Sequence, residues 1–217
     1  MQSLTEQIIE TDLVNRVFND VQLSRVLGGS EARRYGLVNR ALKAGELHRI
    51  KRGLYVLDNK FRDYRMHPFA LAQLIEPGSY ISLETALAHH GWIPEAVYTV
   101  ASIHPGRKTR TYEHEKLGSF TFHPLAINKT CFFELVGRLK IDEQTMLVAV
   151  PVRALMDLVC LRKMKWQGLG WLVEGLRIDP ENLRKITNAE IRILKEVYKH
   201  KNMKMFLDGL AKELGND

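Results

Sequence analysis

The chain has 217 residues, 45% of them hydrophobic, with a formal net charge of +7 and a pI near 9.4. That length accommodates two ordinary domains with real cores, and the basic balance suits a polyanionic partner. No apolar run approaches the ~20 residues that span a bilayer, and Cys131 and Cys160 stand at no metal-binding or disulfide-framework spacing. The N-terminal stretch MQSLTEQIIETDL is acidic and polar where a secretory signal would be basic and then apolar, so a cytoplasmic protein with no membrane partner is expected.

In chain order, residues 4 to 19 read as one helix whose apolar face is Leu4, Ile8, Ile9, Leu13, Val17 and Phe18. Leu23, Val26 and Leu27 give a second, shorter helix, which Gly28-Gly29 interrupts. Ser30 is a good N-cap, and from Glu31 to Ala44 the residues Ala32, Tyr35, Val38, Ala41 and Leu42 recur at helical spacing before Gly45. Two strand-length runs follow, Leu47 to Lys51 and Leu54 to Asp58, joined through Arg52-Gly53 as a hairpin. Helix, turn, helix and hairpin in that order predict a winged helix-turn-helix over residues 1–58.

The charges suggest what that shape is for. Arg33, Gly36, Arg40 and Lys43 fall three, four and three apart, which predicts one helix face, with Arg34 one position off the row. The hairpin adds Arg49, Lys51 and Arg52. Between Gln22 and Val56 eight basic residues, Arg25 among them, stand against Glu31 and Glu46, so this short stretch carries +6 of the chain's +7. A merely solvated face is the alternative, but one-signed charge on these two elements favours DNA. Arg33 and Arg34 are then expected at base edges or phosphates, Asn39 opposite adenine, and Arg49, Lys51 and Arg52 on phosphates. Ser30, Arg40 and Lys43 complete the expected interface. Gly36 would let the helix approach the backbone closely.

The charged stretch Asn59 to Arg65 reads as a linker, and residues 66–217 as a mixed α/β domain with trailing helices, making the chain α+β. Pro68 to Ile75 is a predicted helix, ended by Glu76-Pro77-Gly78. Tyr80-Ile81 is a short strand, and Ser82 caps a helix closed by Gly91. Further strands are predicted at Val97–Ile103, Thr111–Glu115, Ser119–Pro124, Thr130–Val136 and Met146–Val150. Helical segments are predicted from Pro151 through Leu161, then at 171–176, 182–186, 188–198 and 203–214.

His89, His90, His104, His114 and His123 cluster in sequence without zinc-ligand spacing. Glu113-His114-Glu115-Lys116 could contribute to a Mg-dependent nuclease, but a hairpin turn explains those charges equally well. No phosphate-cradling loop or nucleophile elbow is present. The expectation is a non-enzyme with no catalytic residue, cofactor or metal.

Two segments, taken together, resemble the AbiEi family of antitoxins of type IV toxin–antitoxin systems. One is ALKAGELHRIKRGLYVL. The other is YISLETALAHHGWIPE, followed by GRKTRTYEHEKLGSFTFHPL and VAVPVRALMDLVCLR. The likeness covers about residues 10 to 165 and departs at Val152-Arg153, where the family commonly has Glu-Lys. It implies a repressor that binds inverted repeats of its own operon, autoregulates a phage-defence system, and neutralises an AbiEii-type nucleotidyltransferase toxin through its C-terminal domain without a stable complex. On that implication Arg107, Lys108 and Arg110 are candidates for a neutralising surface. A stand-alone transcriptional regulator is the alternative, with the nuclease behind it.

Overall fold

The computed structural model describes residues 2–215 and divides into two compact units, Met1–His67 and Pro68–Asp217. Both helices and sheets are present, so the chain is α+β. No helix among the described residues is long and apolar enough to cross a membrane.

The first unit opens with α1 (Leu4–Ile9), whose start is fixed by a reciprocal cap: the Ser3 hydroxyl accepts from the Glu6 amide and the Glu6 carboxylate from the Ser3 amide. The continuous helix expected over residues 4 to 19 does not form. The Thr11 hydroxyl donates to the Ile8 carbonyl at 2.8 Å and accepts from the Leu13 amide at 3.2 Å, supplying local partners in place of helical ones. Leu13 still reaches the core, while Phe18–Asn19 becomes a short strand, β1.

A second reciprocal cap, Asn19 with Gln22, starts α2 (Asp20–Leu27). Gly28 and Gly29 turn the chain with φ of 54° and 69°, a region that side chains with a Cβ adopt at a cost. Ser30 then caps α3 (Glu31–Lys43), accepting from the Arg33 amide. That helix ends in a Schellman motif: Gly45 has φ 68°, the Glu46 amide bonds the Ala41 carbonyl, and the Gly45 amide bonds that of Leu42. β2 (Leu47–Lys51) and β3 (Leu54–Leu57) pair antiparallel with a bulge between Arg49 and Lys51, and β1 joins the far edge of β3 to give the order β1-β3-β2. One core binds the unit together, built from Leu4, Ile8, Leu13, Phe18, Leu23, Leu27, Leu37, Val38, Ala41, Leu47, Tyr55 and Leu57.

Two expectations change here. Tyr35, counted with the apolar stripe of α3, is 68% exposed, because Leu37, Val38 and Ala41 form the buried face and leave Tyr35 at its rim. The stretch read as a linker is folded onto the first unit. Asn59–Phe61 is a 3-10 turn capped by Asp58, Phe61 packs against the core, and Asn15 bonds the Asp63 carboxylate, the Asp63 amide and the Tyr64 hydroxyl.

The second unit contains α4 (Pro68–Ile75), β4 (Tyr80–Ile81), α5 (Leu83–His89), β5 (Thr99–Ile103), β6 (Arg110–His114), β7 (Gly118–His123), β8 (Val136–Ile141) and β9 (Gln144–Ala149). It closes with α6 (Pro151–Leu161), α7 (Leu169–Gly175), α8 (Pro180–Arg184), α9 (Asn188–Val197) and α10 (Lys201–Glu213). The strands form one mixed sheet in the order β6-β7-β5-β4-β9-β8, with the β5–β7 and β4–β9 pairs parallel. The strand expected at Thr130–Val136 is instead a 3-10 turn at Lys129–Cys131 and a loop, and the sequence reading missed β8.

The reason lies in α6, which is buried from Val152 to Cys160, Arg153 and Asp157 included. The Arg153 guanidinium donates to Asp157 at 3.0 Å, to the Glu134 carbonyl at 2.7 Å, to the Phe132 carbonyl at 3.3 Å and to the Tyr80 hydroxyl at 2.6 Å. Its claims on Phe132 and Glu134 hold that apolar run out of the sheet. Asp157 also accepts from Tyr80 (2.9 Å), Ser82 (2.7 Å) and Tyr198 (2.7 Å). Ser82 therefore sits at the N-cap position of α5 without making a side-chain cap.

This network sets an alkaline limit. Burial first, and the Asp157 carboxylate second, push the Tyr80 and Tyr198 phenols well above their ordinary 10.0, and the same causes push the Cys160 thiol from 9.0 up to about 12. All three stay protonated in the folded state at a pH where the unfolded chain ionises, so the folded state binds more protons and stability falls with rising pH. The contribution is intact below about pH 9, where the first unfolded-state group titrates, and each group adds a slope of about 1.4 kcal/mol per pH unit between its unfolded and folded values. Urea midpoints measured from pH 7 to 11 should be lowered progressively above pH 9, and less steeply in Cys160→Ala.

Candidate nucleic-acid interface

α3 and the β2–β3 hairpin border a groove of about 450 Å³, lined by Asp20, Glu31, Arg34, Tyr35, Asn39, Arg49, Arg52 and Tyr55 among others. The α2–α3 turn and the hairpin bulge determine which side chains reach it. At the hairpin tip, Gly53 has φ 73°, and a Cβ there would lie 2.8 Å from the Asp20 carboxylate. Glycine is required on both counts, and it lets the tip close onto the start of α2. The Arg49 guanidinium lies over the Tyr55 ring, 5.8 Å from its centroid. Burial, then the Asp20 carboxylate, raise the Tyr55 phenol above its ordinary range, while Arg49 pulls it back.

The expected interface residues separate into two groups. Ser30 is occupied as a cap. Arg33 and Arg34, expected at base edges or phosphates, are half-buried and fold back on the turn: Arg33 donates to the Leu27 carbonyl at 2.6 Å and Arg34 to the Gly29 carbonyl. The carbonyls at a helix C-terminus carry partial negative charge, so these guanidiniums are well placed there. Arg40, Lys43, Arg49, Lys51 and Arg52 are exposed, and Asn39 is half-buried beside the groove. None of Arg40, Lys43 and Arg52 takes part in an ion pair among the described residues. Sequence reasoning identified these cations but not the partners of Arg33 and Arg34, because hydrogen bonding to a neighbouring turn leaves no mark in periodicity.

In the second unit Arg107, Lys108 and Arg110 are exposed. Arg110 is paired with Glu76 at 2.6 Å, and the Lys108 carbonyl meets the buried His104 ring at 3.0 Å. This basic turn is thus braced against the end of α4. His90, at the end of α5, donates from Nε2 to the Ala149 carbonyl at 3.0 Å, and burial lowers His123 below its usual range. His114 accepts from the Lys116 amide within its own turn. No group of three His, Cys, Asp or Glu side chains among the described residues could hold a metal ion, and Cys131 and Cys160 are free thiols. Compared with known proteins, the chain matches no family model and no curated sequence.

Gly36 on α3 and Gly53 at the hairpin tip should respond oppositely to alanine. A Cβ at Gly36 meets only the flexible Arg40 end at 3.5 Å, in ordinary contact, so Gly36→Ala should stabilise the helix by about 1 kcal/mol. Gly53→Ala forces a strained φ and a clash with Asp20, and should destabilise by about 1–3 kcal/mol. Chemical denaturation of each variant checks both signs.

Proposed function

We propose that the first unit is a winged helix-turn-helix that binds duplex DNA, with α3 as recognition helix and the β2–β3 hairpin as wing. We further propose that the chain is an AbiEi-type antitoxin that represses its own operon and counteracts a nucleotidyltransferase toxin through its second unit. The observation that carries the DNA reading is the uncompensated charge on these two elements: Arg40, Lys43 and Arg52 are exposed and outside every ion pair among the described residues. An ordinary solvated surface intersperses both signs, and protein interface cores are depleted in charge. Duplex phosphates supply the missing anions, and their release of counterions makes such binding salt-dependent. The antitoxin reading rests on the sequence resemblance, in which the two segments occur in this order and spacing.

Binding to a duplex taken from the region upstream of the gene should weaken steeply between 50 and 200 mM salt (roughly 10³-fold or more if six or more phosphates are met). Lys43→Ala and Arg52→Ala should each flatten the slope by about one unit on every sequence. Affinity independent of salt, or untouched by both changes, would remove the DNA reading.

The antitoxin reading has its own test. Co-expression of the full chain with an AbiEii-type nucleotidyltransferase should relieve growth arrest. A Lys43→Ala/Arg52→Ala double variant should keep that rescue while losing repression of an operon reporter. If the full chain gives no rescue, the protein is a DNA-binding regulator alone.

A further inference from the structure

We infer that, on the duplex interface proposed above and resting on that reading, Tyr35 and Asn39 read the bases, whereas Arg33 and Arg34 fasten the α2–α3 turn. Arginines near the start of a recognition helix are the obvious candidates for guanine contacts, but here both guanidiniums are engaged. Arg33 donates to Leu27 and Arg34 to Gly29, each to a carbonyl at or just past the end of α2. The Arg33 stem also lies over Gly29, where a Cβ would stand 3.2 Å from its Cδ. Swinging either side chain onto DNA would strip hydrogen bonds from the turn that sets the angle between the two helices.

Tyr35 and Asn39 are placed differently. They stand four residues apart on α3, hence on one row of the helix, and both line the groove facing the hairpin; Arg34 lines it too, but with its guanidinium tied to the Gly29 carbonyl. Tyr35 is 68% exposed; among the described aromatic residues it shares an exposed state with Tyr98 and Phe133 of the second unit, and in the first unit it is the large aromatic side chain left in solvent. Neither the phenol nor the amide has a hydrogen-bond partner among the described residues. Gly36 beside them carries no side chain, so a base edge can come close to the row.

Their chemistry defines the sequence they prefer. A carboxamide presents one donor and one acceptor side by side, matching N6 and N7 of adenine in the major groove. The Tyr35 ring offers an apolar surface to a thymine methyl, and its hydroxyl can donate to a neighbouring acceptor. Four residues of helix span ~6 Å, about two base steps of ~3.4 Å. The preferred half-site therefore contains an adenine with a thymine within about two positions, not a guanine contacted by Arg33.

The experiment selects bound duplexes from a random-sequence pool with the full-length chain and with its Asn39→Ala, Tyr35→Ala and Arg33→Lys variants. Wild-type chain should enrich a half-site containing that adenine and thymine. Asn39→Ala should lose preference at the adenine and Tyr35→Ala at the thymine, each binding the wild-type consensus roughly 5- to 100-fold more weakly while affinity for a scrambled duplex is unchanged. Arg33→Lys should leave the selected consensus as it was and lower the thermal midpoint. Both groove substitutions are at partly exposed positions, and thermal unfolding verifies that the variants remain folded. An unchanged consensus in both Asn39→Ala and Tyr35→Ala would overturn the assignment, as would a guanine lost only in Arg33→Lys. Wild-type binding without any enriched sequence would overturn it too, leaving the DNA reading in place. Absence of salt-dependent binding to any duplex would remove both.

Discussion

A guanidinium and a carboxylate stand one helical turn apart in α6, Arg153 and Asp157, neither with any exposed side-chain surface. Two charges taken this far from water cost several kcal/mol each unless their hydrogen-bonding capacity is met. Here it is met by residues drawn from most of the second unit. Asp157 accepts hydrogen bonds from Tyr80 at the start of β4, from Ser82 at the start of α5, and from Tyr198 after α9. Arg153 binds the carbonyls of Phe132 and Glu134 before β8, and the rings of Tyr80 and Tyr198 lie 5.3 and 5.6 Å from it. Burial, the largest single influence, lowers the guanidinium's proton affinity, but Asp157, Tyr198 and Tyr80 together outweigh it and hold the group above its ordinary range. Such a pair adds little net stability compared with an apolar core of the same shape. Its effect is to make any other packing of these elements expensive, because every rearrangement strands a buried charge.

That constraint explains several local features. The Ser82 hydroxyl is diverted from capping α5. The Phe132–Phe133 segment, apolar enough for a strand, stays outside the sheet, and Leu135 adopts φ 56° before β8 begins. The chain after α9 is tied in by backbone bonds from Asn128 to the Val197 carbonyl and from Lys199 to the Ala126 carbonyl, which bring Tyr198 to the carboxylate. Among its described residues the first unit has no fully buried guanidinium–carboxylate pair, its His48–Asp58 contact at 2.7 Å retaining some exposure. Its core is apolar, and its order comes from reciprocal helix caps, a Schellman turn and a hairpin closed by Gly53.

Besides surface ion pairs such as Arg110–Glu76, arginine has three contrasting uses along the chain. Arg153 is buried and organises a core, Arg33 and Arg34 close a turn, and Arg40 and Arg52 stand in solvent. A formal count treats these residues alike. Bonding to neutral carbonyls leaves Arg33 and Arg34 charged but fixes where that charge sits, whereas Arg40, Lys43 and Arg52 stand outside every ion pair among the described residues. The groove polarity is moderated by Asp20 and Glu31 on its wall.

What the sequence by itself determined is whatever depends on a few neighbouring residues. Ser30, Gly45 and Gly53 marked the limits of α3 and the hairpin turn, Pro151 the start of α6, and Glu76-Pro77-Gly78 the end of α4, because caps and positive φ are properties of local backbone. The cationic character of α3 and the hairpin was legible for the same reason. Tertiary structure alone decided the rest. Phe18–Asn19 is a strand because Tyr55 and Leu54 lie opposite it, and a periodicity continuous with α1 hid that pairing. Asn59–Arg65 looks like a linker until Asn15 is found bonded to Asp63 and Tyr64. The partners of Arg33, Arg34 and Arg153 were equally hidden. A guanidinium has five donors and a long flexible stem, so its destination is settled by which carbonyls and carboxylates the fold brings within reach.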